Sequence, residues 1–246
     1  MLRLRRIATP DPTHLSASHA DARIAVAIRR RSAAKRMTLR VSGTTGEVVL
    51  TLPSRVEVDA AQSFLDAQAG WIAARLSAVP GRVPLADGEI LPLRGVPHRI
   101  VHWSVVRGPT RAVAGGDGLP VIAVCGETAA LTGRVRRFLV AEADADLRAA
   151  VSRHAARLGL ATRRITVRDT TSRWGSCSST GSLSFSWRLI LAPPHVLDYL
   201  AAHEVAHLRE LNHSHRFWKL VHDLCPGTEE AERWLKRNGS GLHRYG

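Results

Sequence analysis

The string His203-Glu204-Val205-Ala206-His207 is where chemistry is most readily read from this chain. On a helix, imidazoles at i and i+4 lie one turn apart on one face and can share a metal ion. A carboxylate next to the first of them can hold a water on that ion and take its proton. With 12 histidines in 246 residues, chance would produce such a string roughly 0.02 times in a chain of this make-up. The bland alternative is a helix displaying a solvent-facing histidine pair. The surroundings speak against it, because Val196, Leu197, Leu200, Ala201, Ala202, Val205, Ala206 and Leu208 are apolar and uncompensated polar groups are costly there. Histidines also crowd this region: His195, His203, His207, His213, His215 and His222 are half of the total.

Two ligands do not close a site, since catalytic zinc usually keeps three protein ligands and one open position. Glu210 shares the helical face but stands seven residues from His203, a rise of about 10.5 Å, which one ion can hardly bridge. His213 would point roughly 80° away from His203 if the helix continued. A break before it would return it to the metal, and Asn212 suits a left-handed cap there. His213 is the first choice, with His215 and then Glu229, Glu230 or Glu232 in reserve.

The elements that must position these groups follow from periodicity. Alternation in Ala22–Ile28, Arg36–Val41 and Glu47–Leu52, with Ser42-Gly-Thr-Thr-Gly46 between the last two, predicts strands and a hairpin. Helical spacing predicts a helix over Val58–Leu76, and strands follow over Arg99–Val106 and Pro120–Val124. Trp71 and Trp103 read as core residues of this first part. Near Thr128 the pattern changes. Arg134–Leu158 lacks Pro and Gly and reads as a long helix closed by Gly159. Arg164–Arg168 and Leu183–Leu191 read as strands around a polar loop, Asp169–Gly181, and Pro193-Pro194 opens a helix running to about Leu211. Two shorter helices follow, about His215–Leu224 and Thr228–Arg237. The order predicts an α+β protein: a mostly β module with one helix over 1–128, then a metal-binding domain over 129–246. No internal repeat is evident.

Composition bounds the rest. No run of about 18 apolar residues predicts a membrane span, and the basic N-terminus lacks the apolar stretch of a signal peptide. The expectation is a cytoplasmic protein with no membrane association. Cys125, Cys177 and Cys225 are odd in number and contain no C-x-x-C, which excludes a disulfide framework and a Cys₄ zinc site. The formal charge of +14 comes almost wholly from arginine, since Lys35, Lys219 and Lys236 are the only lysines. It permits nucleic-acid association or attraction to phosphorylated substrates. The excess is spread over both halves, and its densest run, Arg29 to Arg40, is interleaved with strand residues as on a solvated sheet face.

Several segments carry a family resemblance: Arg173-Trp-Gly-Ser-Cys-Ser178, Trp187-Arg-Leu-Ile-Leu-Ala-Pro-Pro194, Asp198 through Ser214 around the histidine motif, and Phe217-Trp218. Together they resemble the YgjP-like family of zinc metallopeptidases, related to the SprT-like and WLM proteases. Arg31-Ser32, Arg36-Met-Thr-Leu and Gly70-Trp-Ile72 are similar to that family's β module. The resemblance implies a minimal zincin-like fold, one zinc ion on His203, His207 and His213, Glu204 as catalytic base, and a peptide or protein substrate. The chain departs from the longer metzincin signature, which has glycine where Glu210 stands. Around the motif, Arg173-Trp-Gly-Ser-Cys177 reads either as a cleft-lining strand able to pair with an extended peptide or as a structural hairpin around Trp174. Arg173, Arg188 and Arg209 could hold an anionic group, or pair with Asp169, Asp198 or Glu210. Tyr199 could donate to a tetrahedral intermediate or simply pack. Phe217, Trp218 and Leu220 read as packing, and Cys177 as a small buried residue more readily than a redox thiol. Two rivals to a peptidase remain at this point: a metal-dependent phosphoanhydride or nucleotide hydrolase, motivated by the arginines, and a nucleic-acid-associated module with a structural metal.

Overall fold

The alternating segments of the first third form strands, as their patterning requires. The structure is a computed structural model and describes residues 12–79, 81–103 and 107–246. β1 (His14–His19), β2 (Ala22–Arg31), β3 (Thr38–Val41) and β4 (Val48–Pro53) form a sheet in the order β1-β2-β4-β3. β2 and β4 are parallel, with Ile28 opposite Leu50, and each has an antiparallel partner on its outer side. Ala17, Val26, Leu50 and Leu52 meet Ala61, Leu65, Ala69 and Ile72, the buried stripe of α1 (Val58–Ser77). β1 escapes a sequence reading because its turn into β2 carries Ala20 at φ 48°, without the glycine or asparagine that advertises such a turn. Trp71 is not the core residue expected: it is 41% exposed, and Arg75 lies over its ring at 5.5 Å.

The same topology recurs further on. β5 (Ile90–Leu93), β6 (Val96–Trp103), β7 (Arg111–Val113) and β8 (Val121–Cys125) take the order β5-β6-β8-β7. Again a parallel central pair is flanked by antiparallel partners, and again a helix follows, α2 (Leu131–Arg157). The sequence shows no repeat, yet the architecture repeats. Residues 104–106, expected to continue β6, and the N-terminal stretch read for a signal lie outside the described residues.

The chain divides into two compact units, Met1–Pro80 and Gly81–Gly246, whereas the change of pattern suggested residue 128. The reason lies in the core. Leu91, Ile100, Ile122 and Val124 from the second sheet share one apolar cluster with Val135, Leu139 and Leu147 of α2. A change from strand to helix periodicity marks a new element, not the edge of a core. At the β5–β6 turn, the N–H groups of Arg94 and Gly95 donate to the carbonyls of Ile190 and Leu191 at 2.7 and 3.3 Å. Arg94 also pairs with Glu142 and Asp146 of α2 at 2.8 and 2.7 Å. A Cβ on Gly95 would stand 3.0 Å from the Pro193 ring. This hairpin tip therefore rests on the turn that leads into the histidine-bearing helix.

After α2, whose end is marked by Gly159 at φ +65°, come β9 (Arg164–Arg168), β10 (Gly175–Cys177) and β11 (Ser182–Ser186), in the order β10-β11-β9. The strand expected to reach Leu191 stops at Ser186 and gives way to a 3₁₀ turn, Trp187–Leu191. All five residues of that turn are buried, so a continuous apolar run was read as strand where it is a buried turn. The helices α3 (Pro194–Ala206), α4 (His215–Leu224) and α5 (Thr228–Leu242) complete the second unit. Among the described residues no helix is long and apolar enough to cross a membrane.

Candidate metal centre and cleft

α3 begins with Pro194 in its first turn, where a missing N–H leaves no helical hydrogen bond unmade. Nine of its residues are buried, so it is a core helix, with Asp198 near its start paired to Arg153 and His154 and with His203 and Glu204 toward its C-terminal end. It stops five residues short of the expected Leu211. The N–H groups of Leu208 and Arg209 bond back to the carbonyls of Val205 and Ala206 at 3.0 and 3.1 Å, a tightened final turn. Asn212 is not the left-handed cap expected, because Ala20 and Arg94 are the non-glycine residues with positive φ among those described. The chain turns without it. Ser214 then caps α4, accepting from the Phe217 N–H at 3.3 Å.

The early stop brings His213 back to the helix. Ligand atoms of His203, His207 and His213 all lie within 4.8 Å of one another, and the Nε2 atoms of His203 and His213 are 3.2 Å apart. Nitrogens sharing a tetrahedral ion at about 2.0–2.1 Å stand roughly 3.4 Å from each other, so the donor set fits a small divalent cation. His207 Nδ1 donates to the Glu210 carbonyl at 3.0 Å, which leaves Nε2 unprotonated and available. Phe217 is fully buried, with its ring 4.9, 4.4 and 4.7 Å from those of His203, His207 and His213. Burial, then the neighbouring His207 and His213, push His203 down to about 4, and burial lowers His207 as well. Neutral imidazoles are what a metal requires of its ligands. The reserve candidates do not join this cluster among the described residues. His215 is exposed at the start of α4, and Glu232 accepts from the Tyr199 hydroxyl at 2.9 Å. Glu210 offers its backbone carbonyl rather than its carboxylate.

Glu204 is 4% exposed, and its Oε2 is buried without a hydrogen-bond partner among the described residues. Burial, only partly offset by Arg173, pushes its carboxyl up to about 7. A cation on the triad would favour the ionised form and compensate the buried charge. The side chain packs on Gly175, where an added Cβ would overlap Oε1 and stand 2.8 Å from Cγ. Gly175 is therefore required by close approach, a role that an isolated glycine in a strand signals.

β10 is an edge strand. Ser178 N–H donates to Ser182, and Ser186 N–H to Trp174, both at 2.9 Å. In an antiparallel pair alternate residues face the partner, so the N–H and C=O of Gly175 and Cys177 face the open edge. The segment is a hairpin with Trp174 half-buried against His243, ring centroids 4.9 Å apart, and among the described residues no strand pairs with its outer edge beside Glu204. Two depressions, of about 290 and 270 Å³, share Gly175, His203 and Glu204. One is walled by Trp174, Tyr199 and Leu235, the other by Cys177, Leu211 and His213.

The neighbouring residues sort differently from one another. Arg188 is structural: it is buried, pairs with Asp169 at 3.0 Å and donates to the Leu242 carbonyl. Asp198 pairs with Arg153 and His154, and Arg209 donates weakly to the Leu158 carbonyl at 3.4 Å. Arg173 alone of the three arginines acts on Glu204. Burial and Glu204 raise the Cys177 thiol, the opposite of a poised thiolate. Phe217 does more than the inter-helix packing read from the sequence, since it underlies all three imidazoles.

Small mixed sheets and five helices among the described residues, with a histidine-bearing core helix beside an edge strand, make this an α+β protein. A family model described as "YgjP-like, metallopeptidase domain" matches residues 35–238, and the chain belongs to that family. None of the curated proteins gives a significant match. Among solved structures, the metallopeptidase zymogen of Pyrococcus abyssi abylysin is 20% identical, with 37% of this chain and 93% of that chain covered and a TM-score of 0.34.

Proposed function

We propose that the chain is a zinc-dependent peptidase in which His203, His207 and His213 hold one zinc ion and Glu204 is the general base. The observation that carries this reading is the convergence of three imidazole donors beside a buried carboxylate with an unpartnered oxygen. Zinc, when bound, supplies Lewis acidity toward a scissile carbonyl and acidifies water. Glu204 takes the proton of the attacking water and returns it to the departing amine. The outward-facing groups of Gly175 and Cys177 hold an extended peptide as an added strand and run its backbone past Glu204. Tyr199 spends its proton on Glu232 and lies 3.5 Å from His203 Nδ1, which suits steadying that ring better than donating to substrate. Phe217 keeps water from the far side of the imidazoles.

Zinc content and cleavage of an unfolded protein, assayed beside nucleotide hydrolysis, test the reading. Glu204→Gln should retain about one zinc per chain and lose at least roughly a hundredfold in turnover, the scale of a lost general base. His213→Ala should lose most of the zinc. Full activity in Glu204→Gln, or hydrolysis of nucleotides but not of polypeptide, would overturn the proposal.

A further inference from the structure

The outer face of the sheet β10-β11-β9 is chemically unlike its inner face. Thr166 lies opposite Ser184 and Ser184 opposite Ser176, so three hydroxyls stand in line on one face. Leu183 and Phe185, one residue out of phase, are buried on the other. Arg168, at the end of β9, and Arg173, ahead of β10, help to close this hydroxyl-lined face into a depression of about 470 Å³. No acidic side chain lines it. Among the described residues Arg168 and Arg173 form no salt bridge, while Arg94, Arg99, Arg136, Arg148, Arg153 and Arg188 all do. Arg173 feels a carboxylate only through the longer-range field of Glu204. The depression also adjoins the cleft, because Ser176 and Cys177 line both.

Strand geometry connects the two. A peptide paired on the open edge of β10 sends alternate side chains to opposite faces. Those opposite Gly175 and Cys177 point toward Glu204 and the imidazoles. The residue between them, opposite Ser176, points onto the hydroxyl-lined face. We propose that this depression is the subsite for an acidic side chain of the bound peptide, with Arg168 and Arg173 as its counter-charges, so that the chain selects acidic extended segments. The proposal rests on the peptidase reading above and adds its substrate class.

The test is peptide binding to the full-length, zinc-loaded Glu204→Gln protein, read by fluorescence anisotropy. Two labelled peptides of equal length carry Glu or Gln at every second position. The Glu peptide should bind about tenfold more tightly, as charge-assisted bonds to a guanidinium would give. Arg168→Gln with Arg173→Gln should abolish that preference without weakening the Gln peptide. Arg168→Lys with Arg173→Lys, which keeps the charge, should retain part of it. Equal binding of the two peptides, or a preference that survives the double Gln variant, would overturn the acidic subsite and leave the peptidase reading intact. Binding of neither peptide, together with no cleavage of either by the unsubstituted protein, would overturn both.

Discussion

Glu204 is held where a carboxylate is least comfortable. In the metal-free protein its carboxyl is pushed up to about 7 from an ordinary 4.5, chiefly by burial. Such a group binds its proton more tightly folded than unfolded. Its contribution to stability is therefore complete below about pH 4.5 and is lost as the pH rises through 7. The full shift corresponds to on the order of 3 kcal/mol. Metal-free Glu204→Gln should accordingly gain stability over the unsubstituted protein between pH 5 and pH 8, by an amount of that order, measured by denaturant unfolding at each pH. A difference that does not change with pH would mean that the carboxylate is better solvated than its burial implies. The discomfort is also what makes the group useful: a buried carboxylate whose Oε2 has no partner among the described residues is a stronger proton acceptor than a solvated one.

The elements decide whether that oxygen reaches the cleft. Gly175 lets β10 pass against Glu204 with no side chain between them. Gly175→Ala should displace the Glu204 carboxylate, with a stability cost of about 1–3 kcal/mol as in other overpacked sites. Turnover should fall at least tenfold at unchanged zinc content. Kinetics together with metal analysis would check this, and unaltered turnover would show that Glu204 can retreat without consequence. The premature end of α3 matters equally. Helix propensity alone carries Leu208-Arg209-Glu210-Leu211 onward. In the fold, His207 is fixed by the Glu210 carbonyl and Phe217 is buried beneath the imidazoles. Those tertiary contacts outweigh a few tenths of a kcal/mol per residue of propensity.

At the scale of the molecule, two apolar clusters share no residue, one within each unit. Leu50 and Leu139 are each fully buried, the first in the Met1–Pro80 cluster and the second in the Gly81–Gly246 cluster. Replacing either with Ala should cost about 2–5 kcal/mol. Leu50→Ala should leave zinc content unchanged at temperatures where the protein stays folded, whereas Leu139→Ala should lower the temperature at which zinc is lost. Calorimetry with metal analysis would distinguish them. Zinc loss in step for both variants would mean that the clusters act as one cooperative unit.

What the chain wrote locally could be read locally. The spacing of His203 and His207, the adjacent Glu204, the helix-opening prolines and the alternating strands depend on neighbours within one or two turns, so periodicity exposes them. The preference for His213 rests on Glu210's rise along the helix and on a left-handed cap at Asn212 that the backbone does not form; the tightened end of α3 is what brings its ring to His203 and His207. Other features depend on residues far apart in sequence. They include the glycine that admits Glu204, the phenylalanine under three imidazoles, the open edge of β10, the division at residue 80 and the repeated four-strand topology. Each is a through-space meeting of side chains or strands whose separation along the chain carries no period. Packing alone brings them together, and packing alone decided them.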